Sequence, residues 1–288
     1  MSQPKDARSP DFETIVVVGV GLIGGSIALA AKDRGVAHVV LGVGRNGNRL
    51  EEARRRGVID EALVDLCSAA RRADLLVFCA PVDRIAAAAR EAAAVCRPGT
   101  LLTDAGSVKA GLCRDLAAGL PQGVEFVGAH PLAGSEKQGY EHADARLFER
   151  RICVVTPTAS SSRSAVERVG GFWRKLGATL IEMSPEAHDR ALSETSHLPH
   201  LAAAAIAATL SPANRELAAS GFRDTTRVAS GDPELWSAIF LENRDELLAS
   251  LSRYDALLAR FRKALEQNDA AVLKELLQDA KMRREANG

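Results

Sequence analysis

Gly19-Val20-Gly21-Leu22-Ile23-Gly24 follows the pattern G-x-G-x-x-G. It closes the β-branched run Thr14–Gly19 and opens a helical pattern at Leu22. Between a strand and a helix each glycine has a physical task. The first permits a tight turn, the second lets backbone approach a pyrophosphate, and the third allows close helix–strand packing. The free N–H groups of the first helical turn, at Leu22 and Ile23, add positive potential for phosphate. The segment reads as a dinucleotide loop, with an ordinary glycine-rich βα turn as the alternative. A second choice is made about 20 residues further on, where NAD sites usually carry an acid for the ribose 2′-hydroxyl. Here the chain reads Gly44-Arg45-Asn46. The acid is missing, and an arginine fork suits a 2′-phosphate. This corner favours NADP over NAD, with dual use open and a merely solvated Arg45 as the alternative. Ala80 and Pro81, at the end of another apolar run, complete the expected cofactor wall.

Three more clusters hold groups able to do chemistry. In Asp104-Ala105-Gly106-Ser107-Val108-Lys109, Ser107 follows a strand and is placed either to cap a helix or to give a catalytic hydrogen bond. In Gly128-Ala129-His130-Pro131, the proline keeps His130 from starting a helix. A histidine at a strand's carboxyl end, in a chain with a nucleotide loop, is a candidate general base. The third cluster lies far along the chain: His197-Leu198-Pro199-His200, then Arg223 and Arg227, then Gly231-Asp232-Pro233-Glu234-Leu235-Trp236. Such polar density inside an Ala-rich region exceeds what solvated helix faces require.

The elements that would position these groups fall into two sets. Short apolar runs at Thr14–Gly19, His38–Val43, Asp74–Ala80, Thr100–Asp104, Glu125–Ala129 and Ile152–Thr156 alternate with helical stretches. The helical stretches are Leu22–Arg34, Asn46–Arg56, Val82–Val95 and Val108–Gly119. This alternation predicts an α/β, Rossmann-type, doubly wound parallel sheet. Thr158–Ser164 reads as a linker, followed by one more helix and one more strand up to Met183. From Pro185 on, Ala and Leu recur at helical spacing. The expected division is a disordered tail over 1–13, a dinucleotide domain over 14–183 with its core in 14–157, and an all-α domain over 184–288. Small side chains bury little area each, so long Ala/Leu helices need a partner surface. That predicts a homodimer through the helical half.

Composition narrows the class. Lys+Arg and Asp+Glu are 37 each, so no basic face is predicted for nucleic acid. No run reaches the ~18 apolar residues of a membrane span. The polar start of the chain lacks a signal-like segment. The cysteines number 5, an odd count without C-x-x-C spacing, which points to free thiols in a cytoplasmic protein and to no metal site.

Taken together, Gly19–Ser26, Asp104–Lys109, Gly128–Glu136, Ser196–His200 and Ser220–Ala229 give the chain a resemblance to the prephenate/arogenate dehydrogenase family of tyrosine biosynthesis. Five motifs in order, from about Ile15 to the last helices, make it specific. The resemblance implies a dinucleotide domain with a helical dimerisation domain, and oxidative decarboxylation of prephenate or arogenate with NAD(P). It implies His130 as base and Ser107 as a partner of the substrate hydroxyl or of the imidazole. It places Arg227 on the ring carboxylate, Arg223 as added positive potential or part of a gating network, and His200 near the substrate side chain. His197 is placed at the substrate or as a structural residue. Ser135 and Glu136, in the Gly128–Glu136 motif, go to the substrate side, with Glu136 either in a mobile polar network or a simple loop carboxylate. Trp236 is expected to pack a helix junction. No fused regulatory module is visible, so feedback by tyrosine would act at the active site. Retention of His200 favours prephenate.

Two other readings remain open. A β-hydroxyacid dehydrogenase or imine reductase would share the architecture, but the former needs a lysine in the helical half, and none lies between Lys175 and Lys263. A non-catalytic NADPH sensor would bind cofactor without needing His130, Ser107 and Arg227 together.

Overall fold

The structure, a computed structural model, describes residues 11–134 and 137–286. Its first part is an eight-stranded sheet in the order β3-β2-β1-β4-β5-β6-β7-β8. The strands are β1 Phe12–Val18, β2 Ala37–Val43, β3 Glu61–Leu63, β4 Leu75–Phe78, β5 Leu101–Asp104, β6 Glu125–Pro131, β7 Ile152–Thr156 and β8 Thr179–Glu182. Strands β1 to β6 pair in parallel. The β6–β7 pair is antiparallel, with His130 opposite Val154, so the expected all-parallel sheet is corrected to a mixed one.

Helices α1 Leu22–Asp33, α2 Gly47–Arg55, α3 Leu66–Ala70, α4 Val82–Ala93, α5 Ala110–Leu116 and α6 Arg163–Lys175 cover the sheet. Successive strand residues point to opposite faces. Ile15 and Val17 share one core with Ile27 and Ala31 of α1 and with Phe172 and Trp173 of α6. Val16 and Val18 share the other with Ile85 and Ala89 of α4 and with Leu112 and Leu116 of α5. Burial on both sides is why these strands read as continuous apolar runs. Fully buried Trp173 meets Phe148 and Phe172 edge-on, at 5.5 and 5.3 Å between ring centres. Truncating such a side chain costs about 3–5 kcal/mol.

Several boundaries differ from the sequence expectation. β1 starts at Phe12, which is buried and edge-on to Phe172, so residues 12 and 13 belong to the sheet rather than to a tail. Residues 1–10 of that expected tail lie outside the described residues. Strand β3 and helix α3 were not foreseen. The expected linker at Thr158–Ser164 includes the cap of α6: Ser162 accepts from Ala165 N and donates to Glu125 at the start of β6. Ser107 caps no helix, because α5 begins only at Ala110.

The second part is helical: α7 Pro185–Leu192, α8 Leu198–Thr209, α9 Ser220–Thr226, α10 Pro233–Glu242, α11 Arg244–Glu266 and α12 Ala270–Ala286. A π-turn, Ser193–His197, joins α7 to α8, and a 3-10 turn, Arg227–Ser230, follows α9. The prolines act as starts: Pro185 and Pro233 open their helices behind Ser184 and Asp232 caps. An apolar contact of Ile239 with Val82 and Val108 ties α10 to the sheet domain. Few residues of the last two helices are buried: Leu247, Ser250 and Ala264 in α11, and Leu276 in α12. No described helix is long and apolar enough to cross a membrane.

Candidate active site

The glycine loop sits at the carboxyl end of β1, beside β2 and β4. Gly19 takes φ of +98°, and a Cβ there would lie 2.7 Å from the Cys79 carbonyl oxygen. At Gly24 a Cβ would overlap the Gly19 carbonyl, while Gly21 has open space above it. Gly21 precedes α1 with no side-chain cap, which leaves the first-turn N–H groups available. A cleft of about 850 Å³ opens over this loop. Gly19, Gly21, Gly44, Arg45, Asn46, Ala80 and Pro81 line it, as expected; Leu22, Ile23 and Gly24 form the turn at its edge. The open space at Gly21 and the uncapped helix end fit a pyrophosphate. Arg49 and Arg84 also face the cleft and were not foreseen. Asn46 is committed to its helix, accepting from Arg49 N at 3.1 Å. Arg49 pairs with Glu141 at 3.1 Å. Arg45 is exposed and makes no ion pair among the described residues.

Beyond β5 and β6 lies a buried polar floor. Asp104 accepts from Ala129 N at 3.0 Å and from Gly106 N at 2.8 Å, and it pairs with fully buried Lys109. This pins the residue before His130 to the end of β5. The His130 imidazole is half-buried, with Nδ1 at 2.9 Å from His188 Nε2. Burial is the main reason its pKa lies well below the usual histidine range, with His188, Lys109 and His197 acting in the same direction. His130 is therefore a neutral imidazole at neutral pH. His188 in turn contacts Asp189 at 2.7 Å. Among the described residues Ser107 makes no hydrogen bond to His130, whose Nδ1 faces His188 instead.

The helical part contributes His197, His200, Trp236 and Asn243. His200 is buried and stacks on Trp236 with ring centres 3.5 Å apart, a junction that fits the packing role expected of Trp236. Burial lowers the His200 pKa. Gly231 leaves room for the stack, since a Cβ there would sit 2.8 Å from His200 Cε1. His197 is 1% exposed, and burial first of all brings its pKa down to about 4. Its Nδ1 lies 3.0 Å from Asn243 Nδ2, while its Nε2 has no hydrogen-bond partner among the described residues. Asn243 also donates to the Asp189 carbonyl at 2.8 Å.

Arg223 and Arg227 are exposed. Arg223 donates to the Ala218 carbonyl at 2.8 Å, and Arg227 starts the 3-10 turn packed against α8. Neither is joined to His130 by a hydrogen bond or ion pair. Ser135 and Glu136 lie outside the described residues. Just after them, Gln138 donates to Asp232 at 2.8 Å, bridging to the start of α10. Sequence reasoning missed His188, Asp189, Asn243 and the Asp104–Lys109 pair. Only the last had a local signal, an acid and a base five residues apart within one motif.

Comparison with known proteins covers both parts. The family model for the prephenate dehydrogenase nucleotide-binding domain matches residues 27–182. The model for the prephenate dehydrogenase dimerization domain matches residues 184–279. Prephenate dehydrogenase of Bacillus subtilis is 34% identical, over 98% of this chain and 76% of its own length. Cyclohexadienyl dehydrogenase of Zymomonas mobilis is 33% identical over 95% of each. Among solved structures, prephenate dehydrogenase from A. aeolicus, in complex with hydroxyphenyl propionate and NAD+, superposes with TM-score 0.91 at 30% identity. It covers 98% of this chain and 100% of that one. Arogenate dehydrogenase of Synechocystis superposes with TM-score 0.80 at 30% identity, over 96% of this chain and 100% of its own. Matched in both halves and over nearly its whole length, the chain belongs to the prephenate dehydrogenase family.

Proposed function

We propose that the chain catalyses the oxidative decarboxylation of prephenate, arogenate or both with NAD(P)+, yielding 4-hydroxyphenylpyruvate or tyrosine in tyrosine biosynthesis. The observation that carries the mechanism is the neutral, half-buried His130 imidazole at the carboxyl edge of the sheet that holds the glycine loop. Bound NAD(P)+ would supply the hydride acceptor. His130 takes the proton of the ring C4 hydroxyl, a role a cationic imidazole could not fill. Carbon dioxide leaves C1, and aromatisation drives the step forward. Ser107, half-buried in the loop between β5 and α5, hydrogen-bonds the same hydroxyl. Arg227 holds the ring carboxylate through a charge-assisted bond, and Arg223 adds positive potential. His200 borders the substrate side chain, and His197 offers it an N–H from a nitrogen left without a protein partner. Ser135 and Glu136 complete the substrate side.

NADP is the preferred cofactor in this reading, because Gly44 replaces the acid and Arg45 stands unpaired at the cleft. The chain divides near residue 183 and pairs with a second copy through its helical part. Tyrosine, which shares the product's phenol ring, feeds back at the same site. Five unpaired cysteines support a cytoplasmic setting. His200 favours prephenate over arogenate. The deciding experiment follows nicotinamide reduction with each substrate and each cofactor. Turnover is expected, fastest with prephenate and NADP+. No turnover in any pairing sinks the activity.

A further inference from the structure

Behind His130 runs a closed chain of polar atoms that the mechanism above leaves unused. His130 Nδ1 lies 2.9 Å from His188 Nε2, and His188 Nδ1 lies 2.7 Å from Asp189 Oδ1. His188 and Asp189 are buried, with exposures of 0% and 2%. The Asp189 carboxylate also accepts from the backbone N–H groups of Lys109 and Ala110, each at 2.8 Å. A carboxylate only accepts, so His188 Nδ1 must carry a proton and donate it. The Nε2 that faces His130 is then the nitrogen placed to accept a second proton. With that nitrogen as acceptor, His130 donates from Nδ1 and keeps its lone pair on Nε2.

We propose that His188 and Asp189 are positioning residues that fix this tautomer of His130 and take over the proton it receives. The proposal rests on the reading of His130 as base. In the step, His130 Nε2 binds the substrate's hydroxyl proton. The His130 Nδ1–H bond breaks, and that proton passes to His188 Nε2. One proton enters and one moves on; no electrons are exchanged among these groups. His130 ends neutral, and His188 ends cationic against the Asp189 carboxylate. Positive charge thus leaves a ring disfavoured by burial, by Lys109 and by His197, and settles beside an anion. Of the other charged groups around the chain, Lys109 is paired with Asp104. The reverse transfer returns the proton through His130 once product has left.

Two measurements test this. Nitrogen-15 NMR of the intact protein at neutral pH, with His130 identified by signals absent in His130→Asn, should show a protonated Nδ1 and a bare Nε2. The opposite tautomer overturns the proposal, and this readout does not depend on variants at the relay folding. Kinetically, His188→Gln keeps an acceptor for His130 but cannot hold the proton. Its kcat should fall about 10²-fold or more, with KM for substrate and cofactor little changed. Asp189→Asn can reverse the donor order, leaving a proton on His130 Nε2, and should lose up to about 10⁴-fold in kcat. Wild-type kcat in His188→Gln, alongside an inactive His130→Asn, rejects the relay and keeps the base. Wild-type kcat in His130→Asn rejects both.

Discussion

At the scale of single residues, His130 and His197 are stored neutral inside the fold, and that makes the protein sensitive to acid. The unfolded chain binds their protons at the ordinary pKa near 6.5, whereas folded His197 binds its proton only near 4. Between those values the unfolded state holds more protons, so stability is complete above about pH 6.5 and declines as pH falls. The slope is about 1.4 kcal/mol per pH unit for each such group at full effect. Thermal unfolding from pH 7 to 4 should show a falling Tm, shallower in His197→Gln; a flat profile would contradict the burial of these rings. In the role proposed for it, Arg227→Ala should raise KM for substrate strongly and leave cofactor affinity unchanged, because a guanidinium that anchors a substrate carboxylate acts in binding. Steady-state kinetics with substrate varied would show it, and a normal KM removes Arg227 from that place. His130 and His200 were legible because each sits in a recognisable motif. His188 was not: it lies 58 positions from His130, and only the packing of α7 against α5 and β7 brings the two rings together.

At the scale of elements, the proposed cofactor preference rests on the β2–α2 corner. Gly44 follows β2 without an acid, and Asn46, which caps α2, lines the cleft. Arg45→Ala should weaken NADP+ binding more than NAD+ binding, measured as separate dissociation constants; equal losses would refute a 2′-phosphate contact. The long buried strands were readable from their β-branched runs, since burial on both faces removes the polar alternation of a half-exposed strand. β3 was not readable, because three half-buried residues at the edge carry no such pattern. The antiparallel turn of β7 was hidden too, as apolar runs carry no sign of direction. Ser107 misled for a related reason: serine after a strand is a common cap, but here the Asp189 carboxylate receives the N–H groups at the start of α5, from 80 residues away.

At the scale of the whole molecule, α11 and α12 present Leu248, Leu265 and Leu277 at 53%, 62% and 61% exposure. A long amphipathic helix seldom stands without a partner for its apolar residues. The particle in solution should therefore have twice the chain mass of 30.6 kDa, and Leu248→Glu with Leu277→Glu should shift it toward the single-chain mass, read by light scattering. A wild-type monomer at micromolar concentration would end the dimer reading. Charge balance, visible from composition, hid none of this, since anion binding depends on where a few arginines stand. The Asp189 carboxylate has one more consequence, and it concerns motion. It joins the two parts of the chain, holding α7 to the start of α5 through two backbone donors while it also receives the neighbouring His188 ring. Hydrogen bonds to a charged group contribute about 1.5–3 kcal/mol each, so prising the parts open there would be slow and would also disarm the base. The Gln138–Asp232 bond is a single exposed contact worth far less. Of the two contacts, the exposed Gln138–Asp232 bond is the one expected to open first, read as faster amide exchange at the start of α10 than at the start of α5.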